Sequence, residues 1–323
     1  MPITDSQEYI PKLLHRNGHL GTIIPHIFHH KNIEEYTRDR LDTPDGDFID
    51  IDKIISGTDR LAILCHGLEG SSASNYISNM ASLLSDHRFD IVAMNYRGCS
   101  GESNRNLRMY HSGATDDIDL VISKYESSYS SIALIGYSLG ANMVLKYAGE
   151  SSYTKSNKLR SVVGISAPCD LAACSEVISK PSNYIYERRF LVSLIGKLKI
   201  KANLYPDAID LAKVKLVKTL RDFDEHFTGP IHGFKDASEY YTLNSSNRYL
   251  QGVKTPTLII NACNDPFLDT NKFPVKQAQG SEYVHLSMPK YGGHVGFMGL
   301  GSEYSWADMK ALDFITNNLP YEI

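Results

Sequence analysis

The chain has 323 residues, 42% of them hydrophobic and 22% charged, with a formal net charge of −4 at pH 7. That balance supplies an ordinary globular core and excludes the basic excess by which nucleic acids are bound. Five cysteines, Cys65, Cys99, Cys169, Cys174 and Cys263, are odd in number and never spaced C-x-x-C, which fits reduced thiols in the cytoplasm. Residues 1–8 lack the basic-then-apolar pattern of a signal peptide, and no run has the length of a membrane span.

Residues 9–30 mix apolar side chains with His15, His19, His26, His29 and His30. His15 and His19 are four apart, a ligand spacing on a helix. Asn17-Gly18 between them argues against a helix, and no cysteine or carboxylate joins at ligand spacing. The stretch reads as a packed N-terminal arm, about residues 1–33, and neither a metal nor another cofactor is expected. Residues 34–41 and 47–54 read as an antiparallel hairpin at a sheet edge, around the turn signal Thr43-Pro44-Asp45-Gly46.

Alternation follows: strands at 61–65, 90–94, 131–135 and 161–166, with helices at 74–84, 115–125 and 141–148 between them. Strands separated by helices mean crossovers and a mainly parallel sheet, an α/β fold. From about 170 to 250 there are helical patterns and no strand, with apolar positions at 177–178, 190–195 and 208–220. Nine Lys or Arg residues in 180–218 face only Glu187, Asp207 and Asp210. This stretch reads as a helical insertion over the strand ends, a lid, whose charge is either a solvated face or a peripheral contact with anionic substrate or membrane. Strands at 257–261 and 282–287 and a helix at 305–318 complete one domain.

Ligands of open parallel sheets bind at the carboxyl ends of the strands. Strand 131–135 runs into Gly136-Tyr137-Ser138-Leu139-Gly140 and then a helix, the setting in which G-x-S-x-G means a nucleophile elbow. Gly136 and Gly140 relieve crowding in the tight turn. Ser138 needs a base to lose its proton, and His294 follows the last strand in a glycine-rich loop that lets its ring swing in. Asp265, past the preceding strand, is placed to fix the imidazole tautomer. The N–H groups of Leu139 and Leu68 are the expected oxyanion donors.

Other polar residues take plainer roles. His66 reads as a structural partner of the Leu68 turn and His285 as packing. Asp269 lies further past its strand than Asp265. His111 and Asp116 read as the approach to a helix with acids in its first turn. Arg97 is placed to pair with Asp116 or Asp117, and Cys99 reads as structural.

Seven segments carry a resemblance: Asn17-Gly-His-Leu-Gly-Thr-Ile23, Thr43-Pro-Asp-Gly-Asp-Phe48, His66-Gly-Leu-Glu-Gly-Ser-Ser72, Asn95-Tyr-Arg-Gly-Cys-Ser-Gly101, Gly136-Tyr-Ser-Leu-Gly-Ala-Asn142, Asn264-Asp-Pro-Phe267 and Gly292-Gly-His-Val-Gly-Phe297. Together they resemble the YheT-type branch of the α/β-hydrolase fold, related to the eukaryotic α/β-hydrolase-domain proteins one and three, over about residues 12–318. The resemblance implies a single α/β-hydrolase domain with nucleophile Ser138, acid Asp265 and base His294. It implies ester hydrolysis, with lipid or phospholipid esters among the substrates of some eukaryotic members. Gly18 and Gly21 stand where the family pattern has proline and glutamine, and the eukaryotic membrane-anchoring segment has no counterpart, so the soluble bacterial type is expected. The expected activity is metal-free cleavage of small-molecule or lipid esters, with short- to medium-chain acyl groups, through an acyl-enzyme at Ser138. An acyltransferase or thioesterase would use the same triad. A non-catalytic binding protein on this fold usually lacks a triad member, and here all three positions are filled.

Overall fold

Eight strands make one sheet in the computed structural model, which describes residues 9–28, 36–152, 155–299 and 303–319. They are β1 (Thr37–Asp42), β2 (Phe48–Ile54), β3 (Arg60–Cys65), β4 (Asp90–Asn95), β5 (Ser131–Tyr137), β6 (Leu159–Ile165), β7 (Thr257–Ile260) and β8 (Val284–Ser287). Their order across the sheet is β1-β2-β4-β3-β5-β6-β7-β8. The β1–β2 and β2–β4 pairs are antiparallel and the other five are parallel. Cys65 pairs with Gly136, Gly136 with Gly164, Ile165 with Ile260 and Ile260 with Ser287. The parallel strands therefore finish nearly level, and the loops that leave them share one end of the sheet.

Side-chain alternation sends neighbours to opposite faces. Ile63, Leu134 and Val162 enter one core with α3 (Asp116–Tyr125) and α4 (Leu139–Gly149), while Leu64, Ile135 and Val163 enter the other with α2 (Asn75–Asp86) and the last helix, Trp306–Asn317. The hairpin expected at the edge is there. Its outer strand β1 is exposed and charged, which discourages pairing with another chain. Arg38 grips Asp52 at 2.7 and 2.8 Å, and Arg40 grips Asp50 at 2.7 and 2.9 Å.

Two expectations need correction. A helix, α1 (Gly18–Phe28), begins right after Asn17, whose side-chain oxygen accepts from the N–H of His19 (3.0 Å) and Leu20 (3.1 Å). Asn-Gly here starts a helix, because asparagine serves as an N-cap as readily as it makes a turn. The arm's histidines go separate ways. His15 Nδ1 is 3.3 Å from the Met298 carbonyl, His19 stacks on Tyr186 and His26 meets Arg189. His29, His30 and the start of the strand expected from residue 34 lie outside the described residues. The second correction concerns 208–220, which is not one helix. A 3-10 turn, Leu211–Leu216, is followed by Leu220–Phe223, started by a capping box between Thr219 and Asp222.

Among the described residues, 171–252 hold helices and turns but no strand. They include α5 (Leu171–Ile178) and the 21-residue α6 (Tyr184–Leu204), then a single π turn at Asp224–Thr228 and the helix Ala237–Asn244. Leu191, Leu194, Leu198, Phe223 and Phe227 form a small core of their own, and Leu68 from the sheet end packs against it.

Candidate active site

The chain leaves β5 through Ser138, held at φ 53° and ψ −120°, and enters α4 at the next residue. A positive φ on a serine is strained and persists only where its surroundings enforce it. The two glycines supply the room, in different ways. A Cβ on Gly136 would lie 2.3 Å from the Gly140 carbonyl oxygen, inside the elbow itself. One on Gly140 would lie 2.4 Å from the His66 oxygen and 2.5 Å from that of Cys65, so this glycine clears the end of β3. Tyr137 donates from its hydroxyl to Asp308 at 2.7 Å, tying the elbow to the last helix.

Asp265, after β7, and His294, after β8, both reach Ser138. His294 Nδ1 is 2.8 Å from Asp265 Oδ2, and His294 Nε2 is 2.8 Å from Ser138 Oγ. With Nδ1–H donating to the carboxylate, the Nε2 lone pair faces the serine hydroxyl, which donates to it. The Asp265 side chain is fully shielded and takes a second bond, from the Phe267 N–H at 2.9 Å. The Phe267 ring lies 4.3 Å from the imidazole.

Backbone bonds fix the histidine loop. Gly293 N–H donates to Asn264 Oδ1 (3.0 Å), His294 N–H to Thr22 Oγ1 (2.8 Å) and Val295 N–H to Ser166 Oγ (3.0 Å). Thr22 donates in turn to the Gly18 carbonyl at 2.7 Å. Contact is so close that a Cβ on Gly18 would lie 2.1 Å from the Asn264 oxygen, and one on Gly296 would lie 1.9 Å from the Gly21 oxygen. The arm thus braces the back of the site. Sequence reasoning assigned Thr22 no role, although it lies inside the first of the resembling segments.

Around Leu68 the turn is pinned on both sides. Gly67 N–H donates to the Tyr76 hydroxyl and Glu69 N–H to the Tyr110 hydroxyl, both at 2.9 Å. The Glu69 carboxylate accepts from Tyr110 (2.6 Å), Lys197 (2.9 Å) and Ser193, so two α6 side chains hold this turn. Among the described residues the N–H groups of Leu68 and Leu139 have no protein acceptor. Two donors are therefore free beside Ser138, which a buried N–H tolerates only where something else satisfies it. His66 is structural, as expected. Its Nδ1 is 2.7 Å from the Gly67 oxygen, Nε2 accepts from Tyr96 N–H, and burial pushes its pKa down to about 3.

The remaining assignments resolve individually. Asp269 accepts from Asn271 N–H as the cap of a 3-10 turn, and the His285 ring packs on Phe314. Arg97 pairs with Asp117 at 2.8 and 2.9 Å and also with Asp45 and Asp47, while Asp116 pairs with Arg108. Cys99 is buried, its pKa raised to about 11 by burial, and lies 3.1 Å from Lys197 Nζ.

A cavity of about 150 Å³ opens onto Ser138 and His294. Leu171, Ile178, Phe190, Leu194 and Leu220 bring apolar walls from the helical segment. Its polar exceptions include His111 and Asp224. The Asp224 carboxyl, raised to about 6 by burial, accepts from Tyr241 at 2.7 Å. No sequence signal marked Asp224 or Tyr241, and His111 had been read only as the approach to α3.

The model of the alpha/beta hydrolase fold family matches residues 62–279. The chain belongs to that family. It is 34% identical to YheT of Escherichia coli (strain K12), an esterase by name, over 98% of this chain and 95% of that one. It is 29% identical to the mouse phospholipase ABHD3, over 82% of this chain and 67% of that one. Among solved structures, the Pyrococcus furiosus esterase Pf2001 superposes with a TM-score of 0.58 at 14% identity, over 90% of this chain and 98% of that one, a likeness of fold. The chain is an esterase/lipase-type α/β hydrolase. Among the described residues no helix is long and apolar enough to cross a membrane.

Proposed function

We propose that the chain cleaves carboxylic esters through a covalent acyl-enzyme on Ser138. Ser138 Oγ attacks the ester carbonyl while His294 Nε2 takes its proton, and Asp265 holds the ring and stabilises the imidazolium. The carbonyl oxygen becomes an oxyanion in reach of the N–H groups of Leu68 and Leu139. Collapse breaks the ester C–O bond, and the departing alkoxide takes the proton from His294. Water, deprotonated by the same nitrogen, then attacks the acyl-serine, and a second collapse returns the proton to Ser138 Oγ and releases the carboxylic acid. The observation that carries this reading is the unbroken chain of two 2.8 Å contacts from carboxylate to imidazole to hydroxyl at a strained elbow.

Residues 171–252 act in this reading as the lid. The acyl chain lies among Leu171, Ile178, Phe190 and Leu194, and a cavity of about 150 Å³ favours short to medium chains. Nitrophenyl esters of graded acyl length test the proposal. Rates should peak at short to medium chains, with a burst of nitrophenol matching the enzyme concentration when deacylation is slow. Ser138→Ala should lower kcat by about 10⁴-fold or more. A variant within about tenfold of the wild type would remove the nucleophile from the scheme.

A further inference from the structure

Helix α6 carries apolar side chains on two opposite faces. Inward, Leu191, Leu194, Leu198 and Ala202 are buried. Outward, Ile185, Val192, Ile200 and Leu204 are 80, 58, 51 and 56% exposed. A helix that faces water normally confines its apolar residues to the buried side. Beside it, α1 exposes Leu20, Ile23 and Ile27, spaced three and four apart on one face. The two helices touch through the stacked rings of His19 and Tyr186, 5.9 Å apart, and through His26 and Arg189 at 3.3 Å. Their exposed apolar rows therefore belong to one surface.

Charge narrows what this surface meets. Between residues 184 and 218 the exposed bases are Arg188, Arg189, Lys199, Lys213, Lys215 and Lys218, against Asp207 and Asp210. Glu187, the only acid on α6, is buried, and its carboxylate accepts from Ser179 and from Leu220 N–H. After α6 the pattern repeats, with exposed Leu211 and Leu216 interleaved with Lys213, Lys215 and Lys218. A second copy of the chain docking by the same face would set these bases against each other. A lipid surface with anionic headgroups suits both features, because apolar side chains sink about 5–10 Å into it while Lys and Arg stay at the phosphates.

We propose that the outer face of α6, together with α1, docks the protein on an anionic lipid surface. At 21 residues α6 is about 30 Å long, enough to lie along such a surface. Its inner side lines the Ser138 cavity through Phe190 and Leu194, so docking brings the cavity wall to the lipid.

Sedimentation with vesicles tests this, using phosphatidylcholine alone and phosphatidylcholine with about one third phosphatidylglycerol. At low salt the wild type should partition at least about tenfold more strongly to the anionic vesicles, and added salt should weaken that binding. The triple variant Ile185→Ser, Val192→Ser, Ile200→Ser should lose about tenfold or more of the partitioning. Its hydrolysis of water-soluble nitrophenyl acetate should stay within about twofold of the wild type. If the triple variant fails to fold, the charge reversal Arg188→Glu, Lys199→Glu takes its place and should erase the preference for anionic vesicles. The proposal is overturned if the wild type ignores anionic vesicles, or if the folded variant binds them as tightly. It is overturned equally if light scattering shows a wild-type dimer that the variant abolishes, which would make a second copy the occupant.

Discussion

The loops at the carboxyl end of the sheet and the helical segment above them face the same cavity but are held in place by different means. In the loops, backbone does the positioning. The N–H groups of Gly293, His294 and Val295 each have a side-chain acceptor, and Ser138, Val295 and Phe297 all sit at positive φ. The helical segment is held by side chains. It has a small apolar core of its own, and it joins the sheet half through Lys197 and Ser193 on Glu69 and through Lys201 on the carbonyls of Asn104 and Asn106. Chemistry that needs sub-ångström placement rests on the part that side-chain changes disturb least, and selectivity rests on the part they can adjust.

The contrast is sharpest in the triad. His294→Ala should cost about 10⁴-fold or more in kcat, and Asp265→Asn about 10⁴-fold because it leaves the wrong tautomer facing Ser138. Leu194→Ala in the helical wall should change kcat/KM by no more than about tenfold and shift the preferred acyl length. Steady-state rates across one ester series measure all three. A Leu194 variant as damaged as the triad variants would erase the distinction between the two regions.

Glycines allow a second comparison, read as stability in urea. Gly140→Ala forces a Cβ to within 2.5 Å of two backbone oxygens at the end of β3 and should destabilise by about 3 kcal/mol. Gly196→Ala on α6 meets nothing within 4 Å and should stabilise by up to about 1 kcal/mol through helix propensity. Equal effects at the two positions would contradict the view that the elbow is sterically determined and α6 is not.

The same division decided what could be read from the string. β3, β5, β6 and β7 are apolar runs buried on both faces, and each ends in the polar or glycine-rich turn where function sits, so Ser138 and Asp265 could be placed by position past a strand. His294 could be placed in the same way after β8. The arm was misjudged because Asn17-Gly18 has two physical meanings, turn and N-cap, and only the downstream packing of α1 on the His294 loop selects one. Residues 208–220 carry enough apolar positions for a helix, but Val217–Thr219 is extended and their side chains serve two separate turns. Asp224 and Tyr241 stayed invisible because each reaches the cavity only through packing among distant helices, and nothing local in their spacing encodes that.

Smaller effects are expected where the two regions meet. Glu69→Gln weakens the hold of Lys197 and Ser193 on the Leu68 turn, and kcat should fall about tenfold with KM little changed. A double-mutant cycle with Lys197→Met should show coupling of about 1 kcal/mol in kcat, whereas independent effects would mean that α6 does not position the turn. Smallest of all is Thr22→Val, which removes the acceptor for His294 N–H and leaves the triad side chains intact. It should lower kcat by about three- to fivefold without changing KM, and Thr22→Ser should restore the rate. A loss that serine does not restore would assign the effect to packing of the arm.

The central claim is that Ser138 becomes the covalent centre because His294 and Asp265 activate it. Intact-protein mass spectrometry after treatment with a fluorophosphonate ester tests this most directly. The wild type should gain one phosphonyl group, located by peptide mapping at Ser138, His294→Ala should gain it far more slowly, and Ser138→Ala should gain none. An adduct on another serine, or labelling of Ser138→Ala at the wild-type rate, would contradict the account.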